Sequence, residues 1–533
     1  MKNHISETDG GTFITYLMKT MRNHNPPLIQ VFIRPSSKPL LILGDFPEAH
    51  DLLVRRKDFD SSHTLGDLVL GLAPDHHIHL ETGDAWKAQR RLVQDLMTPS
   101  FLHNVAGPAI HRNVATMISL WRTKGQLASG RPWAAAGDIN QIALDAVTVF
   151  AFGESFEHNA TLPALDALQA MSAEAIESIS SKGRDEPVEF PKGQDDYVLR
   201  ATRALTKTVG EVQGNPWPSL TWAYVTRKPK VRKAMKIKEG YIMKELRDSV
   251  ERLEGTSGRA IKSAVDQMIV WEKDLAEKQG RTPEYFSRAM VDETAETISS
   301  QGLWFRICWA LKFLANQPGA QSKLRAALDN AFLSARAERR NPTINEITDT
   351  NIPCLDATME EMLRCAGTAP VVDRVATADA EPLGYRIPKG TVVTCLVTRP
   401  SMMSPDFDID LLSRSPSSQT VMKNGRHRAW DPAEMSVFNP DGWIVSGDGS
   451  DSEKNSHFDA SAGPQLAFGL GTRGCYGKRL VYLEMRIVLT LVAWNFELLQ
   501  CLSSLSRYNA ELIITNEPIQ CDVRLHQIEP DSE

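Results

Sequence analysis

One decapeptide constrains this chain more than any other: Phe468-Gly-Leu-Gly-Thr-Arg-Gly-Cys-Tyr-Gly477. The sequence has seven cysteines, and only Cys475 is framed by glycines, an arginine and an aromatic residue. Glycines let a backbone fold tightly round a sulfur and aim N–H groups at it. The residues that follow, Lys478 to Leu489, carry helical spacing, so a helix start lies just after the thiol. Its positive end favours the thiolate. Such a shielded, electron-donating thiolate suits an iron centre that cleaves O–O bonds. The bland alternative is a buried, inert cysteine in a Gly-rich loop.

Composition narrows the field without deciding it. The chain is 42% hydrophobic and 24% charged, with mean hydropathy −0.28 and net charge −6. A weakly acidic balance excludes nucleic-acid binding as the main task. One basic stretch stands out, Arg227-Lys-Pro-Lys-Val-Arg-Lys-Ala-Met-Lys-Ile-Lys238. It reads as a solvated helix face, or as contact with an anionic membrane surface. An odd number of scattered cysteines is no disulfide framework and leaves Cys475 free for a metal. No run of 18 apolar residues is present, and the polar N-terminus is no signal peptide.

Along the chain, residues 27–45 predict two short strands and Phe46 to Arg56 a helix. From about 85 to 330 helical spacing dominates, with helices expected at 108–124, 137–151, 162–180, 196–213, 230–255 and 260–279. Residues 181–195, charged and rich in Gly and Pro, predict an irregular link. A long apolar helix is expected from about Glu284 to Asn316, stopped by Pro318. Another is expected at 351–366, then strands over 370–398 with a turn at Pro388-Lys-Gly390. Residues 400–465 read as mostly irregular, with surface insertions at 413–426 and 445–464. A strand-rich tail runs from Phe496 to about Leu525. The fold class is mainly α with small β-sheets.

The decapeptide resembles the haem-binding signature of cytochromes P450, Phe-x-x-Gly-x-Arg-x-Cys-x-Gly, at Phe468, Gly471, Arg473, Cys475 and Gly477. The resemblance extends over about residues 28–525. It implies one P450 domain there, a lead-in at 1–27 and a tail at 526–533. It also implies haem b, buried between the long distal helix and the helix after Cys475, with Cys475 as the iron's ligand. Trp86-Lys-Ala-Gln-Arg90 matches the family's Trp-x-x-x-Arg helix motif. With Arg374 and Arg473, Trp86 and Arg90 are expected to clamp the haem propionates. Glu361-Met-Leu-Arg364 is an i, i+3 pair on one helix face. The family gives that pair the task of locking the haem-binding core. The usual third partner is an arginine, but here Phe438-Asn-Pro-Asp-Gly-Trp-Ile444 puts Gly442 in its place. Arg426 or Arg428 is the expected substitute.

The distal helix departs from the pattern. O2-activating relatives carry Ala-Gly-x-(Asp/Glu)-Thr, the Thr sixteen residues before a proline like Pro318. That count puts Gly302 at the Thr, Gln301 at the acid and Ile298-Ser299 at Ala-Gly. Glu296-Thr297 lies five residues too early, about 140° round the helix, and reads as a packing pair. Ser299, Ser300 or Gln301 with water is then the expected relay, or the enzyme needs none. Leu68–Leu72 and Thr368–Val372 fall where the family lines an apolar pocket.

The resemblance implies a haem-thiolate monooxygenase that hydroxylates or epoxidises an apolar small molecule, most like fungal microsomal enzymes of secondary metabolism. Its electrons would come from NADPH-cytochrome P450 reductase. Its expected place is the cytoplasmic face of the endoplasmic reticulum membrane. The sequence begins too late for the usual anchor helix, so a truncated gene model, peripheral contact through the basic stretch and loops, or a cytoplasmic protein is expected. Two other readings stay open. One is a P450-fold isomerase, dehydratase or cyclase that does not rely on O2, motivated by Gln301-Gly302. The other is a degenerate P450 scaffold, motivated by Gly442.

Overall fold

The computed structural model describes residues 16–528, apart from 18–19, 22, 24–25, 33–37, 181–182, 214, 216, 256–259, 300–304, 398–401, 424–429, 432, 447–455 and 513–514. The side chains of 180, 296–299, 305, 446 and 512 are likewise outside the description.

The two N-terminal strands form as expected, β1 (Leu28–Val31) and β2 (Leu40–Leu43), followed by α1 (Phe46–Val54). Asp45 caps α1, its carboxylate accepting the Glu48 N–H at 2.9 Å, and Pro47 suits the first turn. Then come β3 (Phe59–Ser61), α2 (Thr64–Val69) and α3 (Asp84–Val93). The helical body continues with α4 (Gly107–Ala128), the short β4 (Trp133–Ala134) and α5 (Ala136–Phe152). It closes with α6 (Tyr197–Gln213), α7 (Pro218–Val225), α8 (Pro229–Gly255) and α9 (Ala264–Gln279).

The helix expected at 162–180 is two, Leu162–Gln169 and Ala173–Ser180. Its first part ends where the Ala170 N–H turns back to the Asp166 and Leu168 carbonyls. The expected distal helix starts later than Glu284. It appears as α10 (Arg288–Ser299) and α11 (Phe305–Asn316) on either side of the undescribed residues 300–304. The N-terminal part of the expected helix is a turn instead, because the Glu284 N–H is taken by the Glu272 carboxylate at 2.7 Å.

After α11 come α12 (Pro318–Ala331) and α13 (Pro353–Ala366), each with proline in its first turn. Strands β5 (Val371–Ala376) and β6 (Val392–Leu396) complete a five-stranded sheet in the order β1-β2-β6-β5-β3. Its pairs are antiparallel except β2–β6, which places Leu40 opposite Val392. The chain then forms the β7 (Ile444–Ser446) and β8 (Ser456–Phe458) ladder and α14 (Lys478–Asn495). The tail adds β9 (Phe496–Leu499), β10 (Ala510–Leu512), β11 (Asn516–Pro518) and β12 (Asp522–Gln527).

The main core lies where α4 packs on α5 and α14, around Met117, Trp121, Ile142, Phe150, Ile487 and Leu491. The stretch 413–426 is not a simple surface insertion. Buried Arg414 pairs with buried Asp45 at 2.6 Å, and Ser415 donates to Asp51 at 2.6 Å. The segment therefore locks onto the N-terminal cap of α1. Ahead of β1, Leu17 and Met21 are buried against Ile42, Leu396 and Phe407.

Candidate active site

The Cys475 loop is shaped by its own backbone. Cys475 N–H donates to the Phe468 carbonyl at 2.7 Å, and Gly474 N–H to that of Gly471 at 3.0 Å. Gly469 and Gly471 have φ of 61° and 70°, the left-handed region. Gly471 is demanded twice, since a Cβ there would lie 2.2 Å from the Leu53 carbonyl oxygen at the end of α1. Cys475 is exposed, and α14 starts three residues on with Gly477 as its N-cap. Lys478 and Arg479 fill the first turn of α14, so the surroundings of the sulfur are electropositive.

Around that loop the expected clamp residues converge. The Arg90 guanidinium lies 4.2 Å from the Tyr476 ring centroid and 5.5 Å from that of Trp86. Arg473 lies 4.8 Å from the same Trp86 ring, so one indole meets two guanidiniums. Arg374, on β5, donates to the Leu470 carbonyl at 3.1 Å. Burial pushes all three arginines below their ordinary value, and Arg374 and Arg90 lower Arg473 further. Asp60 opposes this, but its carboxylate is hydrogen-bonded to the Thr82 and Ser61 N–H groups at 2.9 and 2.7 Å.

Among the described residues none of the three arginines has a salt-bridge partner, and Arg473 Nη1 is buried without a hydrogen bond. Arg374 is buried and Arg90 and Arg473 are half-buried, and with no ion pair of their own they have donors to spare. They fit a ligand carrying two carboxylates, and a haem is such a ligand.

Glu361 and Arg364 are fully buried and paired at 2.7 Å. The partner expected at Arg426 or Arg428 lies outside the described residues. Gln301, Gly302 and Ser300 do too; Ser299 ends α10 with its side chain undescribed. Of the two expected pocket walls, Thr368–Val372 runs into β5. The 68–72 wall packs on α7, where a Cβ on Gly71 would lie 2.2 Å from the Trp222 ring.

Two features escaped the sequence reading. The first is Glu293 on α10. It accepts from His77 Nδ1 at 2.9 Å, from the His77 backbone N–H at 2.9 Å, and from Gln89 at 2.9 Å; His76 Nε2 lies 3.1 Å from it. Burial raises Glu293, but the bonds from His76 and His77 outweigh that and hold it at about 2. Burial keeps His77 below its ordinary value. The spacing of His76, His77 and Glu293 would accommodate a metal ion. However, His76 Nδ1 accepts the Ile78 N–H at 3.2 Å, which assigns the proton to Nε2. A metal on Nε2 would require an imidazolate. The cluster is instead a pin, holding the loop before α3 to α10 and presenting His77 Nε2 to Arg90 at 3.4 Å.

The second feature is Arg306, one of two charges in the apolar run of α11. Its Nε donates to Thr368 Oγ1 at 2.8 Å, and its guanidinium lies 4.2 Å from the Phe468 ring centroid. Burial lowers it to about 10, and Nη1 has no partner. Glu484, on α14, is pushed by burial up to about 8, with Oε1 unpartnered. A charged residue inside an apolar run was the available signal for Arg306.

The helical body, small flanking sheets and cysteine loop facing a cluster of arginines define a haem-thiolate protein class. Residues 14–402 match the family model "Cytochrome P450", and the chain belongs to that family. It is 37% identical to the cytochrome P450 monooxygenase TRI13 of Fusarium sporotrichioides, over 98% of this chain and 91% of that one. It is 34% identical to the cytochrome P450 monooxygenase xilC of Penicillium rubens, over 90% of this chain and 81% of the relative. In fold it is similar to the haem domain of cytochrome P450DA, with TM-score 0.65 and 16% identity. That match covers 97% of this chain and 93% of the other. The protein is thus a cytochrome P450 monooxygenase with protoporphyrin IX haem as its cofactor.

Proposed function

We propose that Cys475 is the thiolate ligand of the haem iron, and that Trp86, Arg90, Arg374 and Arg473 hold the propionates. Residues 28–525 are then one catalytic domain. The observation that carries this reading is the convergence beside the Cys475 loop of three arginines without ion-pair partners, Arg90 and Arg473 against Trp86 and Arg374 on the Leu470 carbonyl. When bound, the haem supplies the oxygen-activating chemistry. The chain's own part is to hold the thiolate in an electropositive loop, anchor the two carboxylates and keep water away with apolar walls.

The reaction we infer places one oxygen atom of O2 in an apolar small molecule, by hydroxylation or epoxidation, while the other leaves as water. Two electrons come from NADPH through NADPH-cytochrome P450 reductase. The fungal relatives support a role in fungal secondary metabolism. Among the described residues no helix is long and apolar enough to cross a membrane. Contact with the cytoplasmic face of the endoplasmic reticulum membrane would use α7 and the basic stretch. Trp217, Leu220 and Tyr224 are exposed beside Arg227, Lys230, Arg232 and Lys233. Lys238 does not belong to that solvated face, because it is buried on the Leu72 carbonyl at 2.6 Å.

The test is spectroscopic and isotopic. The reduced protein with CO should show a thiolate-type Soret band, and Cys475→Ala should abolish it. An unchanged spectrum in that variant would remove Cys475 as the ligand. With NADPH and reductase, product should carry label from isotopic O2. Product formed without either would favour an isomerase, dehydratase or cyclase.

A further inference from the structure

The buried Glu361–Arg364 pair has Gly442 where a third cation would stand, and the structure shows what fills the gap. The edges of the Arg364 guanidinium are already used. Nε and Nη2 donate to Glu361 at 2.7 Å each, Nη1 to the Met435 carbonyl at 2.8 Å and to that of Met402, and Nη2 also to that of Val437 at 3.2 Å. Glu361 is equally occupied, accepting the Asn439 N–H at 2.7 Å and the Trp443 indole N–H at 2.9 Å. The flat face of the guanidinium can still take a partner. The Trp430 ring lies against it, 4.7 Å from centroid to Cζ.

Trp430 fits because two glycines make room. A Cβ on Gly442 would lie 2.9 Å from the ring, and one on Gly463 2.6 Å. Its indole N–H donates to the Ala462 carbonyl at 2.7 Å, and the ring meets Trp443 edge-on at 5.3 Å and 72°. Ala462 and Gly463 lead directly into Phe468 and the Cys475 loop. The same stretch is tied to α13 by Gln465, which donates to the Glu360 carboxylate at 2.9 Å.

We propose that Trp430 takes the part of the missing third cation: a positioning residue that covers Arg364 and fixes where the Cys475 loop leaves α13, with Gly442 and Gly463 as its matched partners. An arginine at 442 and a tryptophan at 430 are mutually exclusive solutions to one packing problem.

The experiment compares Trp430→Phe, Trp430→Leu, Trp430→Ala, Gly442→Arg and the double variant Trp430→Ala/Gly442→Arg in the haem-loaded protein. Two readouts apply: the fraction of thiolate-type band in the reduced CO complex, and the rate of haem loss to an acceptor protein. Trp430→Phe should stay near the parent, because an aromatic face is kept. Trp430→Leu should lose haem about ten times faster, the loss expected for one desolvated cation–π contact, with part of the band shifted to the thiol type. Gly442→Arg alone should be as impaired as Trp430→Leu. The double variant should recover relative to both Gly442→Arg and Trp430→Ala. Parental behaviour of Trp430→Leu, or a Gly442→Arg protein with no defect, overturns the proposal. So does a double variant no better than Trp430→Ala. If Trp430→Leu fails to accumulate, the ordering of Trp430→Phe and the double variant against Gly442→Arg decides in the same way.

Discussion

Two buried glutamates, one on each side of the site, meet opposite fates. Glu293 on the distal α10 accepts hydrogen bonds from two imidazoles, a backbone N–H and an amide, and sits at about 2. Glu484 on α14 has an unpartnered oxygen and only the nearby charge of Arg306 to oppose burial, and it rises to about 8. Both are almost wholly buried, at 2% and 3% exposure, so burial alone does not explain the difference. The donors around each carboxylate decide its charge. Glu361 gives a third case on the same side as Glu484, where donors from Arg364, Asn439, Trp443 and Cys365 surround a carboxylate paired with a buried arginine.

This contrast sets the largest expected effect. Glu361→Gln leaves Arg364 buried without a counter-charge and should cost about 3–5 kcal/mol, read as a lower denaturant midpoint at neutral pH. If the loss is under about 1 kcal/mol, the comparison fails on its α13 limb.

Glu293→Gln should cost about 3 kcal/mol at pH 7, since a displacement from 4.5 to about 2 is worth that much. The sign is fixed by a lowered folded value. The stabilisation is full above the unfolded value of 4.5 and lost as pH falls from there through about 2. Equilibrium unfolding at several pH values should show that acid limb in the parent and a flatter one in the variant.

Glu484→Gln should have the opposite sign, a gain of about 3 kcal/mol at pH 7, where the unfolded carboxyl is ionised and the folded one is not. Here the folded value is raised, so the stabilisation is full below 4.5 and lost as pH rises towards about 8. The variant should lack that decline. A loss of stability at pH 8 would mean that the carboxylate is charged and paired.

The smallest effect belongs to Arg306. Its charge lowers Glu484, so Arg306→Gln should move the Glu484 midpoint further up, by about one pH unit. A pH-resolved stability curve or a carboxyl infrared band would follow it; a downward shift would remove the coupling.

Much of the architecture was legible because it is local. The strands at 28–31 and 40–43, the helix expected at 351–366 and the tail strands follow from neighbours in sequence, whereas the helix that begins at Pro318 does not, because that proline reads only as a stop. The helix expected at 162–180 breaks because a backbone turn intervenes. Arg414 read as part of a surface insertion, yet its partner Asp45 is 369 positions away. His77 and Glu293 are 216 positions apart, and no periodicity in either segment announces their contact.

The sequence by itself determined the Cys475 loop, the glycines that give it left-handed backbone, and the Trp86–Arg90 and Glu361–Arg364 spacings. Each depends on residues within a turn or two of one another. Only the tertiary structure decided that Arg90 and Arg473 meet on Trp86 near Arg374, that burial raises Glu484 while donors hold Glu293 low, and that Trp430 stands where Gly442 leaves room. Those outcomes depend on which donors and rings long-range packing brings to a buried group. In a low-dielectric interior those neighbours fix both its charge and its cost.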